Sequence, residues 1–310
     1  MTITDPFFAL DWGTTNLRAW VVGADGRPTA HQEFALGVSR LGPGEAAVRF
    51  RDEVRPALGA EGLPTLITGM AGSNIGWLEV PYADCPADAR ALARGVVAVP
   101  GEAPFVGITP GLRGPGVYGP DVMRGEETQL IGWLAQDPAR RQGAQVICHP
   151  GTHAKWVLAV DGRIERFVTA MTGELFALLT QHSVLKGGEG DADGPAFDDG
   201  LKAAGDGAAL AARLFTARSR VVGGGGLVAA DVRAYLSGLL IGADVASSPP
   251  LLDAPADATV SIVGDSKLCA QYQRALAHRG IEARVHDGEG AVLSGLVALF
   301  HAVMRQEPHR

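Results

Sequence analysis

At 310 residues, 46% hydrophobic and 20% charged, the chain has the make-up of a globular protein of about two domains with a substantial core. A formal net charge of −7 argues against a nucleic-acid surface while leaving room for local basic pockets that hold phosphate. Three scattered cysteines (Cys85, Cys148, Cys269), no basic-then-apolar leader and a longest apolar stretch of only Ala291 to Met304 argue against a disulfide framework, a signal peptide and a bilayer span, so a cytoplasmic protein is expected.

The first element, Phe8-Ala9-Leu10-Asp11-Trp12-Gly13-Thr14-Thr15-Asn16, reads as a strand leaving a core into a tight turn. Gly13 lets backbone approach an anion, and the turn N–H groups with the Thr14 and Thr15 hydroxyls suit phosphate oxygens. Asp11 suits a hard, hydrated Mg²⁺ ion. An ordinary Asp-x-Gly turn is the competing reading. Leu17 to Val22 predicts a strand, Ala24 to Arg27 a hairpin turn, and Thr29 to Leu36 the returning strand. Gly42-Pro43-Gly44 starts a helix with Ala46, Ala47, Phe50 and Val54 on one face. A buried strand, Pro64 to Thr68, opens into Gly69-Met70-Ala71-Gly72-Ser73-Asn74, and Pro104 to Thr109 is another strand. Residues 78–103 carry little signal. Asp121 precedes a helix expected over Glu126 to Ala135, and the polar segment Asp137 to Gly143 reads as a domain joint.

The pattern then begins again. Gln145 to Cys148 predicts a strand, His149 to Lys155 a turn, Trp156 to Val160 a strand, Asp161-Gly162-Arg163 a hairpin and Ile164 to Met171 the return. Gly13-Thr14 matches Gly151-Thr152, and Asp25-Gly26-Arg27 matches Asp161-Gly162-Arg163, which predicts two similar lobes able to clamp one polyphosphate. Helices are expected over Glu174 to Thr180, Leu201 to Phe215, Ala229 to Ala243, Lys267 to His278 and Ala291 to Val303. Between them lie an acidic, Gly-rich loop, Lys186 to Asp199, and a strand, Ala258 to Val263, ending in Gly264-Asp265-Ser266. Strands alternating with helices give an α/β class.

Some side chains invite readings that the pattern does not support. Cys148, His149 and His153 lack a fourth ligand or a Cys-x-x-Cys companion, so zinc is rejected. Trp12 and Trp77 read as core rather than as substrate walls. No Gly-x-x-x-x-Gly-Lys-Ser/Thr run exists, which argues against a P-loop kinase.

The turns at Asp11 to Asn16 and Pro150 to His153, with Val263 to Ser266, resemble the two phosphate loops and the adenosine loop of the actin-like ATPase superfamily. Within it the chain is similar over most of its length to the 2-keto-3-deoxygalactonate kinase family. That similarity is carried by Gly69 to Ser73, by Asp121-Val122-Met123-Arg124-Gly125-Glu126-Glu127-Thr128-Gln129, by Gly151-Thr152-His153-Ala154-Lys155-Trp156 and by Tyr235 to Leu240. Two departures stand out: His149-Pro150 occupies a place where an acidic residue is common, and Gly264-Asp265 replaces paired glycines.

The resemblance implies a two-lobed, ribonuclease H-like fold of duplicated βββαβαβα units with a nucleotide cleft between the lobes. A sugar-acid lobe would span residues 1–136 and a nucleotide lobe 137–310, the last helix, 291–303, packing back near the cleft. It implies ATP and Mg²⁺ as cofactors and phosphorylation of the C6 hydroxyl of 2-keto-3-deoxygalactonate in galactonate degradation. A kinase for another sugar or sugar acid is the alternative. Asp121 would be the base, against the competing reading of a helix N-cap, with Glu126 and Glu127 as rivals. Asp11 would be linked to Mg²⁺. Gly13, Thr14, Thr15, Gly151, Thr152, His153, Lys155, Gly264, Asp265 and Ser266 would hold the nucleotide, although a solvated role for Lys155 stays open. Ser73, Asn74, Arg124 and Glu126 would meet the sugar acid, Arg124 pairing with its carboxylate. No nucleic-acid or membrane partner is expected, and a homodimer is left open. A nucleotide-operated chaperone or filament protein would need insertions for which 310 residues leave little room.

Overall fold

The computed structural model describes residues 5–256 and 258–306. Three strands, β1 (Phe7–Trp12), β2 (Leu17–Val22) and β3 (Pro28–Phe34), form an antiparallel meander. A helix, α1 (Glu45–Arg49), runs through one π-helical stretch, Phe50–Val54, into α2 (Arg55–Ala57). Then come β4 (Thr65–Gly69), β5 (Ala83–Asp84), α3 (Ala89–Arg94), β6 (Val97–Ala98), β7 (Val106–Ile108), β8 (Leu112–Gly114), β9 (Asp121–Met123) and α4 (Glu126–Gln136). A second meander follows, β10 (Ala144–His149), β11 (Ala154–Val160) and β12 (Arg163–Ala170). Five helices succeed it: α5 (Thr172–His182), α6 (Phe197–Ala204), α7 (Leu210–Leu214), α8 (Thr216–Val222) and α9 (Val232–Ser247). The chain closes with β13 (Thr259–Gly264), α10 (Ser266–His278), β14 (Ala283–Asp287) and α11 (Gly288–Met304).

The two large sheets repeat one order. The first runs β3-β2-β1-β4-β7-β6 and the second β12-β11-β10-β13-β14. In each, the first strand of the meander pairs antiparallel with the second and parallel with a later strand, β4 or β13. This duplicated order is the actin-like ATPase arrangement that the motifs imply. The central strand β1, flanked on both sides, is apolar almost throughout, as a strand covered on two faces must be; Asp11 is its lone charge. At the edge, β3 is mostly exposed and carries Pro28 at its first position, where no ladder N–H is needed. Helix α9 is buried on nearly every side, which its Leu-, Ala- and Gly-rich sequence allows.

One apolar cluster joins the halves. Phe7 and Leu66 of the first sheet, Ile147, Val157 and Val263 of the second, and Leu130, Trp133, Leu296 and Phe300 from α4 and α11 belong to it. Phe7 and Phe300 stack with centroids 4.0 Å apart, so the last helix lies against the first strand. Trp12 and Trp77 meet edge to face at 6.1 Å within the first-half core.

Several elements differ from expectation. Residues 201–215 form two helices because Gly205 and Gly207 adopt φ +56° and +82°, left-handed conformations that end α6. Asp121 does not head a helix. It opens the three-residue strand β9, which pairs with β8 in a small third sheet, β5-β8-β9. The span 78–103 holds β5, α3 and β6, and β14 is an edge strand whose half-exposed Ala-Arg-Val-His-Asp gives no apolar run. Among the described residues no helix is long and apolar enough to cross a membrane.

Candidate active site

The candidate site lies at the carboxyl ends of β1 and β10, the edge at which open α/β sheets bind ligands: Arg18, which pairs with Asp11, and His149 line one cavity. Asp11 lies opposite Arg18 in the β1–β2 register, and Arg18 donates from Nε (3.1 Å) and Nη2 to Asp11 Oδ2. Beyond it, Gly13 N donates to Asn16 O at 2.9 Å and closes the turn. The turn is anchored from outside: Gly37 N donates to Thr15 O (2.9 Å), and Ser39 donates to Thr14 O from its N (3.1 Å) and Oγ (2.7 Å). A Cβ on Gly37 would stand 2.1 Å from the Thr15 carbonyl carbon, so only glycine fits beneath this loop. The Thr14 and Thr15 side chains remain exposed.

The second turn sits at the matching place. Thr152 O accepts from Glu174 N (2.9 Å), and His153 Nε2 meets the Glu174 carboxylate. Lys155, on β11, is only 3% exposed; its Nζ lies 3.2 Å from His153 O and 3.3 Å from Glu126 Oε1 of the other half. His149 ends β10 and bonds Gln129 Oε1 through Nε2, while Gln129 Nε2 donates to Gly288 O. That second bond orients the amide, so the His149 proton is assigned to Nε2. Burial holds the His149 pKa below its ordinary value and favours the neutral ring.

Gly264 ends β13 beside Pro150, and the Asp265 carboxylate caps α10 by accepting from Leu268 N at 3.0 Å. Ser266 is the first residue of that helix. Gly264, Asp265, Ser266, His149, Gln129 and Arg18 line a cavity of about 700 Å³ between the halves. Residues 13–15 stand outside its lining; Arg18, paired with Asp11, carries the first turn's edge into it.

Three neighbouring ionisable groups lie at the start of helix α4 and in the residues leading into it, and one of them, Glu126, meets Lys155 of the other half. Glu126 accepts from Arg124 N at 3.1 Å through Oε2 and faces Lys155 through Oε1. Glu127 is fully buried, accepts from Gly125 N (2.7 Å) and from Thr128 Oγ1 (3.2 Å), and has its pKa pushed up to about 8, first by burial and then by the Glu126 charge. Arg124 donates from Nη2 to Val80 O (2.8 Å) and stacks over Tyr82 at 4.4 Å, yet among the described residues its buried Nε and Nη1 have no partner. A Cβ on Gly72 would touch Arg124 Nη1 at 2.7 Å, so the guanidinium lies against the loop of Ser73 and Asn74. Ser73 Oγ donates to Met70 O at 2.7 Å, and Asn74 is exposed.

Asp121 is engaged elsewhere. Its Oδ1 accepts from Val122 N (2.8 Å) and Thr169 Oγ1 (2.7 Å), and its Oδ2 from Thr169 N (2.7 Å), which ties β9 to β12. Cys148 is buried in the core with its thiol pKa raised by burial, apart from the His149 and His153 pairings. No cluster of three or more metal-binding side chains occurs among the described residues. A single carboxylate at Asp11 still suits Mg²⁺, which keeps much of its water and binds chiefly through nucleotide phosphates. Residues to which the sequence assigned no role also enter the site: Arg18 and Gln129, Gly37 beneath the first turn, and Gly173, which packs against Gly151 O of the second. Gln129 lies inside the quoted Glu-Glu-Thr-Gln run, which was the available signal.

A family model described as 2-keto-3-deoxy-galactonokinase matches residues 11–299. The chain is 37% identical over 305 residues to 2-dehydro-3-deoxygalactonokinase of Escherichia coli (strain K12), covering 97% of this chain and 99% of that one. It is 36% identical over 309 residues to a Rhizobium meliloti (strain 1021) protein named for the same activity, covering 98% and 99%. A crystal structure from Sinorhizobium meliloti, described as of the same kinase type, superposes with TM-score 0.84 at 35% identity, covering 97% of this chain and all of that one.

Proposed function

The chain belongs to the 2-keto-3-deoxy-galactonokinase family, and from that premise we propose how its cleft carries out the phosphoryl transfer. The enzyme phosphorylates the terminal C6 hydroxyl of 2-keto-3-deoxygalactonate with ATP, giving 2-keto-3-deoxy-6-phosphogalactonate and ADP. The observation that carries the site reading is the meeting of Glu126 and Lys155 across the cleft, at 3.3 Å.

Phosphoryl transfer asks the protein for positioning and charge neutralisation. Thr14 and Thr15 on one turn, and Gly151, Thr152 and His153 on the other, hold the β- and γ-phosphates, with Lys155 between Glu126 and that second turn. Asp11 would hold Mg²⁺, which supplies neutralisation of the polyphosphate charge. Gly264, Asp265 and Ser266 border the adenosine.

Arg124, with two buried unpartnered nitrogens, takes the acceptor's carboxylate in a forked pair, and Ser73 and Asn74 take its hydroxyls. Glu126 accepts the C6–OH proton as the new O–P bond forms and the bond to the ADP oxygen breaks. Glu126 is favoured over Asp121, whose two oxygens are already filled by Val122 and Thr169, and over Glu127, which has no exposure. In this reading residues 1–136 form the acceptor lobe and 137–310 the nucleotide lobe of a cytoplasmic enzyme, active as a monomer or a homodimer. A coupled ADP-release assay tests the acceptor. Strong stimulation by 2-keto-3-deoxygalactonate is expected, and a rate indifferent to that acid rejects it.

A further inference from the structure

A second cavity, about 240 Å³, opens beside the second phosphate turn. Its rim includes Gly151 and Gly173, which touch: a Cβ on Gly173 would lie 2.5 Å from Gly151 O. Its walls are Phe176 from α5, Leu240 and Ile241 from α9, and Leu268 and Tyr272 from α10. The volume falls below the ~300 Å³ at which drug-sized sites begin, so it suits one planar ring system rather than a whole nucleotide.

Most polar groups at this cavity are already committed. Thr172 and Tyr272 donate to Asp244, and Asp265 caps its helix. Two side chains are not. Gln271 on α10 and Ser237 on α9 are 8% and 4% exposed, line the cavity, and enter none of the side-chain hydrogen bonds found among the described residues. Their polar groups are therefore free to pair with a ligand that enters it.

We propose that Gln271 reads the nucleobase, its carboxamide taking the exocyclic amino group and a neighbouring ring nitrogen of adenine, with the Ser237 hydroxyl facing it from α9. A carboxamide offers one acceptor and one donor side by side, the pattern that adenine's amino edge complements. The apolar walls hold the ring without choosing among purines, so the choice falls to Gln271. This assignment rests on the kinase reading above, since it takes the phosphates to lie on residues 151–153.

The test compares ATP with purine riboside triphosphate, which lacks the 6-amino group, in steady-state assays at saturating sugar acid. In the unaltered enzyme the amino group is expected to be worth about 5- to 150-fold in kcat/KM. In Gln271→Leu that ratio collapses towards one, KM for ATP rises, and KM for the sugar acid stays put. A ratio preserved in Gln271→Leu overturns the role of Gln271 and leaves the kinase reading standing. Hydrogen exchange on the unaltered enzyme tests the cavity itself. ATP, and not the sugar acid, slows exchange in α9 and α10 if the base sits there. Unchanged exchange in both helices overturns the assignment of the cavity to the nucleobase, whatever the variant does.

Discussion

Lys155 Nζ and Glu126 Oε1 stand 3.3 Å apart, one on the second sheet and one on the helix that follows the first. The pair is nearly removed from water on the lysine side, so its attraction is screened little. With the proposed roles, an incoming polyphosphate would compete with Glu126 for the same ammonium and release the carboxylate towards the acceptor, so that nucleotide binding would prepare the base.

Replacing Glu126 by Gln keeps its size and removes its basicity. We expect kcat to fall by about 10²- to 10⁴-fold, the usual worth of general-base assistance, while KM for ATP falls because the neutral amide no longer competes for Lys155. Asp121→Asn is the comparison. It should cost far less, because Asn retains an acceptor for Thr169. Equal losses in the two variants would transfer the base role to Asp121.

Arg124 gives a prediction about binding rather than chemistry. Its unpartnered Nε and Nη1 lose their role if the guanidinium is removed, and a charge-assisted pair contributes about 1.5–3 kcal/mol. Arg124→Ala should raise KM for the sugar acid by about 10- to 150-fold and leave KM for ATP in place. Arg124→Lys should recover little, since a point charge lacks the fork. Titration calorimetry with the sugar acid alone would expose an error here if affinity were unchanged.

These residues were not equally legible in the sequence. The central strands and both Gly-Thr turns were readable because β1 and β10 are largely buried and end abruptly in glycine-bearing turns. The start of α4 was readable from the Gly-Glu-Glu run. The place of Asp121 in a strand was not legible, because a three-residue strand such as β9 has no period to detect and its partner Thr169 lies 48 residues away. Gln271 and Ser237 are polar positions on helices; sequence alone makes them look solvent-facing. Their burial is a product of packing between α9 and α10.

Glu127 makes stability depend on pH. Its carboxyl, ordinarily near 4.5, is raised to about 8 in the folded protein by burial. Between these values the unfolded chain releases a proton that the native state keeps, so native stability falls as pH rises through the window. Below it the contribution vanishes, and above it the penalty is constant. A glutamine side chain mimics the protonated acid, so Glu127→Gln should gain on the unaltered protein as pH rises through that window, by at most about 1.4 kcal/mol per pH unit. Urea unfolding at several pH values measures this. A difference flat across the range would mean that Glu127 is not buried as a neutral acid.

Asp244 carries a dense set of bonds in the second half. Buried within α9, it accepts from Trp156 Nε1 (2.9 Å), Ser248 Oγ (2.6 Å), Thr172 Oγ1 (2.8 Å) and Tyr272 Oη (2.7 Å). These donors come from β11, the end of α9, α5 and α10, so one carboxylate fixes the spacing of the elements around the smaller cavity. Asp244→Ala takes the acceptor from all of these donors, each on a buried residue. At about 1–3 kcal/mol for each unsatisfied group, partly offset by water entering, a loss of about 3 kcal/mol or more is expected. That is a large share of a total stability of about 5–15 kcal/mol. Denaturant unfolding should show a lower midpoint with an unchanged slope. A shift of less than about 0.5 kcal/mol, the range of ordinary surface changes, would show that packing alone holds these helices in place.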